Sequence, residues 1–260
     1  MPCPRTVEAT EISHRSSQGT LKPFFVRDAQ GDMYVVKGVD GAGRQALIAE
    51  LLCAELGRRC GLPVADYALM RFPEGMLEFS TLEGASDLSG GLAFASRVIP
   101  YSRELTFDQV EEVSTELQLR VLLFDIWVSN EDRYLTEQSG NVNLLVDEAG
   151  DLVVIDHNLA FDPLIGIGDF DLHVFCGQRR ALRDLEVQAR LSRTLDTALA
   201  DWDSIVDLLP VEWVYWDPED DSTEVSPTLG KRCINPATAA RQPLAGYNLA
   251  TLSPPDRAIR

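Results

Sequence analysis

The stretch Ser129-Asn-Glu-Asp-Arg-Tyr134, followed by Asn143-Leu-Leu-Val146 and Asp151-Leu-Val-Val-Ile-Asp156, decides the fold. Ahead of it, Thr106-Phe-Asp-Gln109 fits a capping box, and apolar residues at positions 110, 113, 117, 121, 124 and 128 follow at helical spacing. The helix predicted there delivers the chain into a polar loop that carries Asp132. Two apolar runs then flank the turn Asp147-Glu-Ala-Gly150, the pattern of a β-hairpin. With the turn centred between Glu148 and Ala149, Val146 faces Asp151 and Asn143 faces Val154. Asp156 then lies one diagonal step from Asn143, on the same side of the hairpin. An amide oxygen beside a carboxylate forms half of a Mg²⁺ site, to be completed by water and phosphate. Asp132, arriving from the loop, is placed to orient and deprotonate a hydroxyl. Asn and Asp also favour strand ends and turns for backbone reasons alone. It is the ordered set, a base and two metal ligands, that points to phosphoryl transfer.

Working outward, residues 22–28 and 33–37 read as strands joined by a turn at Ala29-Gln-Gly-Asp32. A helix is predicted over 44–60, closed by Gly61 and stopped by Pro63. Further strands are expected at 64–70, 76–80 and 92–99, with a Gly/Ser loop at 84–91. Lys37 shares its strand face with Met33 and Val35, so its ammonium sits among apolar neighbours and benefits from an anion. The helix offers Glu50, whose helical neighbours Ala46, Leu47, Cys53 and Ala54 include no cation, whereas Glu55 has Arg59 four residues on. Lys37 and Glu50 are therefore expected to pair. Ser16-Ser-Gln-Gly-Thr20 precedes the first predicted strand, and Gly19 and Thr20 there could turn backbone N–H groups toward phosphates. Residues 181–209 read as helical, and the proline-rich 226–260 as irregular.

Taken together, Phe124-Asp-Ile-Trp-Val-Ser-Asn-Glu-Asp-Arg133, Asn143-Leu-Leu and Ile155-Asp156-His157 resemble the catalytic segment of HipA-like kinases, relatives of the phosphatidylinositol-kinase branch of the protein-kinase superfold. Ala49-Glu50, then Leu56-Gly57 and Gly61-Leu-Pro-Val64, resemble the segment after that family's nucleotide lysine, and the likeness spans about residues 15–215. The resemblance implies an α+β, bilobal protein-kinase-like fold: a β-rich lobe over 1–100, a mainly helical lobe over 101–225, and an extension over 226–260. It implies ATP and Mg²⁺ as cofactors and a protein serine or threonine hydroxyl as acceptor. Asp132 would be the catalytic aspartate, Arg133 would brace its loop, and Asn143 and Asp156 would bind metal. Lys37, positioned by Glu50, would hold phosphates, and the backbone around Val98, in a hinge at 96–101, would meet adenine. Two departures stand out: Tyr134 where the family places a histidine, and about six extra residues, Leu135–Gly140, which make Asn141 a rival ligand to Asn143. They keep open a second reading, a catalytically silent pseudokinase that serves as a binding module.

The bulk numbers act by exclusion. A net charge of -18 over 260 residues repels phosphate backbones, so direct nucleic-acid binding is not expected. No run reaches the ~18 apolar residues of a membrane span, and the first residues lack a signal-peptide core. Five cysteines without a Cys-x-x-Cys pair suit a reducing, cytoplasmic setting.

Overall fold

The computed structural model describes residues 4–17, 19, 21–162 and 164–214. The expected extension over 226–260 and Thr20 lie outside the described residues. The fold is α+β. Its first half is a closed five-stranded barrel built from β1 (Thr6–Arg15), β2 (Phe24–Asp28), β3 (Met33–Lys37), β4 (Tyr67–Arg71) and β5 (Ala93–Arg97), in the order β1-β2-β3-β5-β4. Parallel pairing of β1 with β4, Thr6 opposite Leu69, closes it. Strand β1 is not among the strands expected from sequence. The strand expected at 76–80 is instead a run of turns, with the Phe79 N–H bonded to Gly75 and Phe79 left 80% exposed. Gly75, at a φ of +78°, bends the chain before any partner strand is met.

Alternation sorts the strands. Phe24, Val26, Tyr34 and Val36 fill the barrel, and Lys37 falls on the outer face, opposite Phe94 of β5. Against that face lies helix α2 (Arg44–Arg59), which follows the single-turn helix α1 (Val39–Ala42). Leu47 and Leu51 of α2 pack with Phe94, while Leu52, Cys53 and Leu56 join the core of the second half of the chain. The helix thus sits between the two cores, and Glu50 is carried on its buried surface.

In the second half, the Thr106–Gln109 capping box is present, but it opens a 3-10 helix (Phe107–Glu112) rather than the long helix. The chain turns extended at Val113, and Ser114 caps α3 (Thr115–Val128) by accepting from the Leu117 N–H at 3.3 Å. The apolar spacing runs across the break because both pieces face one core. The extra loop residues form a small hairpin, β7 (Tyr134–Leu135) with β8 (Gly140–Asn141). A three-stranded sheet follows, with β9 (Leu144–Val146) between β10 (Leu152–Val154) and β6 (Arg103–Glu104). Helices α4 (Leu185–Leu199), α5 (Trp202–Val206) and α6 (Val211–Val214) complete the described chain. No helix among the described residues is long and apolar enough to cross a membrane.

The register of the β9–β10 hairpin differs from the expected one by a residue: Val146 pairs with Leu152, and Leu144 with Val154. Gly150, at a φ of +88°, accommodates the extra residue at the turn. In this register Asn143 stands across from Ile155, whose N–H it accepts at 3.2 Å, and strand parity alone would point Asn143 and Asp156 to opposite faces. Both residues, however, leave the ladder with positive φ, +46° and +56°. Asn and Asp tolerate this region better than most side chains, and the two twists replace the parity argument.

Candidate active site

Lys37 emerges from the outer face of the barrel with its ammonium 2.6 Å from Glu50 Oε1 and 2.8 Å from Asp156 Oδ1. Burial works against the ammonium, but the two carboxylates outweigh it and hold its pKa above the ordinary lysine value. Burial raises the pKa of Glu50, with Lys37 pulling the other way, and its second oxygen accepts the His157 N–H at 3.0 Å. Asp156, 30% exposed, resists burial through Lys37 and stays below the usual carboxylate range. Helix α2, strand β3 and the end of β10 therefore meet at one ammonium.

Asp132 stands beside this group. Its Oδ1 accepts the Asn141 amide at 2.7 Å, and the Asn143 amide donates to its carbonyl at 2.7 Å and to Oδ2 at 3.3 Å. Burial and the charge of Asp156 raise its pKa, against the bonds from the asparagines. Asn141 and Asn143 thus both lie on Asp132, one at each carboxylate oxygen. The extra hairpin is what brings Asn141 there, since Asn141 pairs with Tyr134 across it.

Arg133, the next residue, turns the other way and is fully buried. Its Nε donates to Asp125 Oδ2 at 2.8 Å, and its other nitrogens reach the carbonyl oxygens of Asn143 and Ile155 and the ring of His157. One guanidinium thereby ties the Asp132 loop to both strands of the hairpin. Asp125 also accepts from His173 Nε2 at 2.9 Å and from the Asn130 amide at 3.1 Å. Burial opposes its charge, but Arg133 and the His173 bond keep it well below the ordinary carboxylate range. Burial and the neighbouring Arg133 push His157 down to about 3, so it is neutral.

Asp125, Asn130, His157 and His173 were not among the expected site residues. Asp125 carried a readable signal: a carboxylate inside the apolar run Leu122-Leu-Phe-Asp-Ile-Trp-Val128 cannot be buried without a cation. Of the remaining expected residues, Val98 has its N–H committed to the Met33 carbonyl at 2.9 Å, so it cannot donate to a nucleobase as a hinge residue would. Gly19, at a φ of +75°, lies in open space at the loop after β1, and Thr20 lies outside the described residues.

Asp156 and Asn143 offer hard oxygen donors suited to a divalent ion. No three His, Cys, Asp or Glu side chains among the described residues gather into a metal cage. An ion held here would draw the rest of its shell from phosphate and water, as Mg²⁺ commonly does.

A lysine held by a helix carboxylate, facing an aspartate pair at the mouth of a hairpin, marks a kinase-like protein. The chain belongs to the HipA-like kinase family, whose model matches residues 9–235. No curated protein sequence matches it. Among solved structures it is similar to CtkA, a proinflammatory kinase of Helicobacter pylori, at 11% identity and a TM-score of 0.46, covering 92% of this chain and 94% of that one. It is also similar to a chain of the CtTel1 dimer, at 15% identity and a TM-score of 0.34, covering 91% of this chain and 11% of that one. The MAP kinase LmaMPK10 of Leishmania major follows at 12% identity and 0.25, covering 94% and 84%. The family assignment rests on the family model and not on these distant likenesses.

Proposed function

We propose that the chain is an ATP- and Mg²⁺-dependent phosphotransferase acting on a serine or threonine hydroxyl of a protein. In this reading it is bilobal, with 1–100 clamping nucleotide and 101–225 carrying the chemistry. The observation that carries the reading is the Lys37 ammonium shared between Glu50 and Asp156, with Asp132 alongside. Two carboxylates on one ammonium, with Asp132 close enough to Asp156 to feel its charge, leave surplus negative charge that a metal ion would offset.

Lys37, kept cationic by its partners, holds phosphate oxygens, and Asp156 and Asn143 hold the metal. Bound Mg²⁺ would neutralise phosphate charge during transfer. Asp132 accepts the hydrogen of the incoming hydroxyl; burial and the neighbouring Asp156 raise its pKa and so strengthen it as a base. Adenine is left with the Val98 carbonyl, not its N–H, for a hinge contact. The test is thermal stability with millimolar Mg·ATP: wild type is stabilised and Asp156→Ala is not. No stabilisation of the wild type sinks the proposal.

A pseudokinase reading draws on one observation, that both Asp132 carboxylate oxygens already accept amide hydrogens from Asn141 and Asn143. Nucleotide binding without ATP turnover or autophosphorylation would select it.

A further inference from the structure

A cavity of about 480 Å³ opens at the turn end of the β9–β10 hairpin. The turn begins four residues beyond Asn143, about 13 Å along the strand from the Lys37–Asp156 group. Its floor is apolar: Leu105, Val146 and Leu152 are buried, and Leu117 of α3 is half-buried. Val146 and Leu152 are direct cross-strand partners, so the floor is an open end of the second core and not part of the nucleotide side. The mouth is acidic. Glu112, Glu148 and Asp151 are exposed there, none has an ion pair among the described residues, and Arg103 is the one basic residue lining the cavity. Asp147 is fixed by the turn, its Oδ1 accepting the N–H groups of Ala149 and Asp151 at 2.8 and 2.9 Å.

This chemistry sorts ligands. An anion or nucleotide meets a surplus of carboxylates. A metal ion finds no cage, since no group of three suitable side chains converges among the described residues. A long cationic side chain can reach the rim while its neighbours enter the floor, because Lys and Arg carry charge on flexible apolar stems. We propose that this groove docks a segment of a partner protein in which one or two Lys or Arg residues lie close in sequence to aliphatic residues. The carboxylates of Glu112, Glu148 and Asp151 take the basic side chains, and Leu105, Leu117, Val146 and Leu152 receive the aliphatic ones. Docking there does not depend on phosphoryl transfer. It would raise the local concentration of the partner beside the catalytic groups.

The probe is an array of fluorescein-labelled twelve-residue peptides, each with two Lys/Arg residues placed one to four positions before or after two Leu/Ile residues. Binding to the full chain is read by fluorescence anisotropy without nucleotide. A subset of the array binds, and Glu148→Lys with Asp151→Lys weakens it tenfold or more. Glu8→Lys with Asp196→Lys, an equal change of net charge at exposed sites elsewhere, leaves affinity within twofold. Equal loss in both double variants would mean diffuse attraction to a chain of net charge -18 and overturns the proposal. It is also overturned if no array peptide binds more tightly than peptides carrying the same charges with the aliphatic residues replaced by Ser. Circular dichroism of both variants confirms that the fold survives substitution at these exposed positions.

Discussion

Two charged clusters lie on either side of the Asp132-Arg133 step, and consecutive side chains serve one each. Lys37, Glu50, Asp156 and Asp132 form the first, which is partly open and carries more carboxylates than cations. Asp125, Arg133, His157 and His173 form the second, which is buried and balanced, one carboxylate against one guanidinium with His157 neutral. Similar side chains thus reach opposite ends. A cluster that is complete holds the loop in place, and a cluster that is electrostatically incomplete is ready for something from solution.

The sharpest way to break this contrast is to remove one partner from the complete cluster. Asp125→Leu should cost about 3–5 kcal/mol, the penalty of stranding a buried guanidinium, measured by urea denaturation. A loss under about 1 kcal/mol would mean that the cluster is not a brace. Asp132→Asn should do the reverse, lowering phosphoryl transfer about 10²–10⁴-fold while stability holds or rises, because burial already disfavours that charge.

Acid should separate the clusters next. His157 has its folded pKa depressed to about 3, against an ordinary 6.5, so the stability it contributes is present above pH 6.5 and is lost as pH falls toward 3. His157→Asn should flatten the stability profile over that window, read by denaturation at successive pH values. The smallest expected effect concerns the asparagines. Asn143→Ala loses a bond to the Asp132 main chain, about 1 kcal/mol, along with Mg²⁺-dependent nucleotide affinity, whereas Asn141→Ala should leave that affinity nearly intact. The opposite ranking would move the ligand role to Asn141.

Much of the first cluster was legible because each residue stood out against its local pattern. Glu50 lay among helical neighbours without a cation, and Lys37 ended an apolar strand; the two meet at 2.6 Å. The second cluster was less so. Asp125 was one polar residue in a helix whose apolar spacing dominated, and the partners of Arg133 come from 125, 143, 155 and 157, too far apart for local pattern to join. The hairpin showed a subtler failure. Its existence followed from two apolar runs and a turn, but the register depended on the conformation of Gly150, and the convergence at its open end depended on left-handed Asn143 and Asp156. Strand β1 escaped notice because eight of its ten residues are not buried, so its alternation is faint.

The parallel closure of the barrel bears on how the molecule assembles. Strand β1 can pair with β2 as soon as both have formed, but its other edge waits for β4, about 60 residues further along the chain. Until then an early β1-β2-β3 meander would present a raw edge to other chains. Closure is thus, with the β3–β5 pairing, a slow, long-range event of the first half. That closure should govern how much of the protein is lost to aggregation during synthesis.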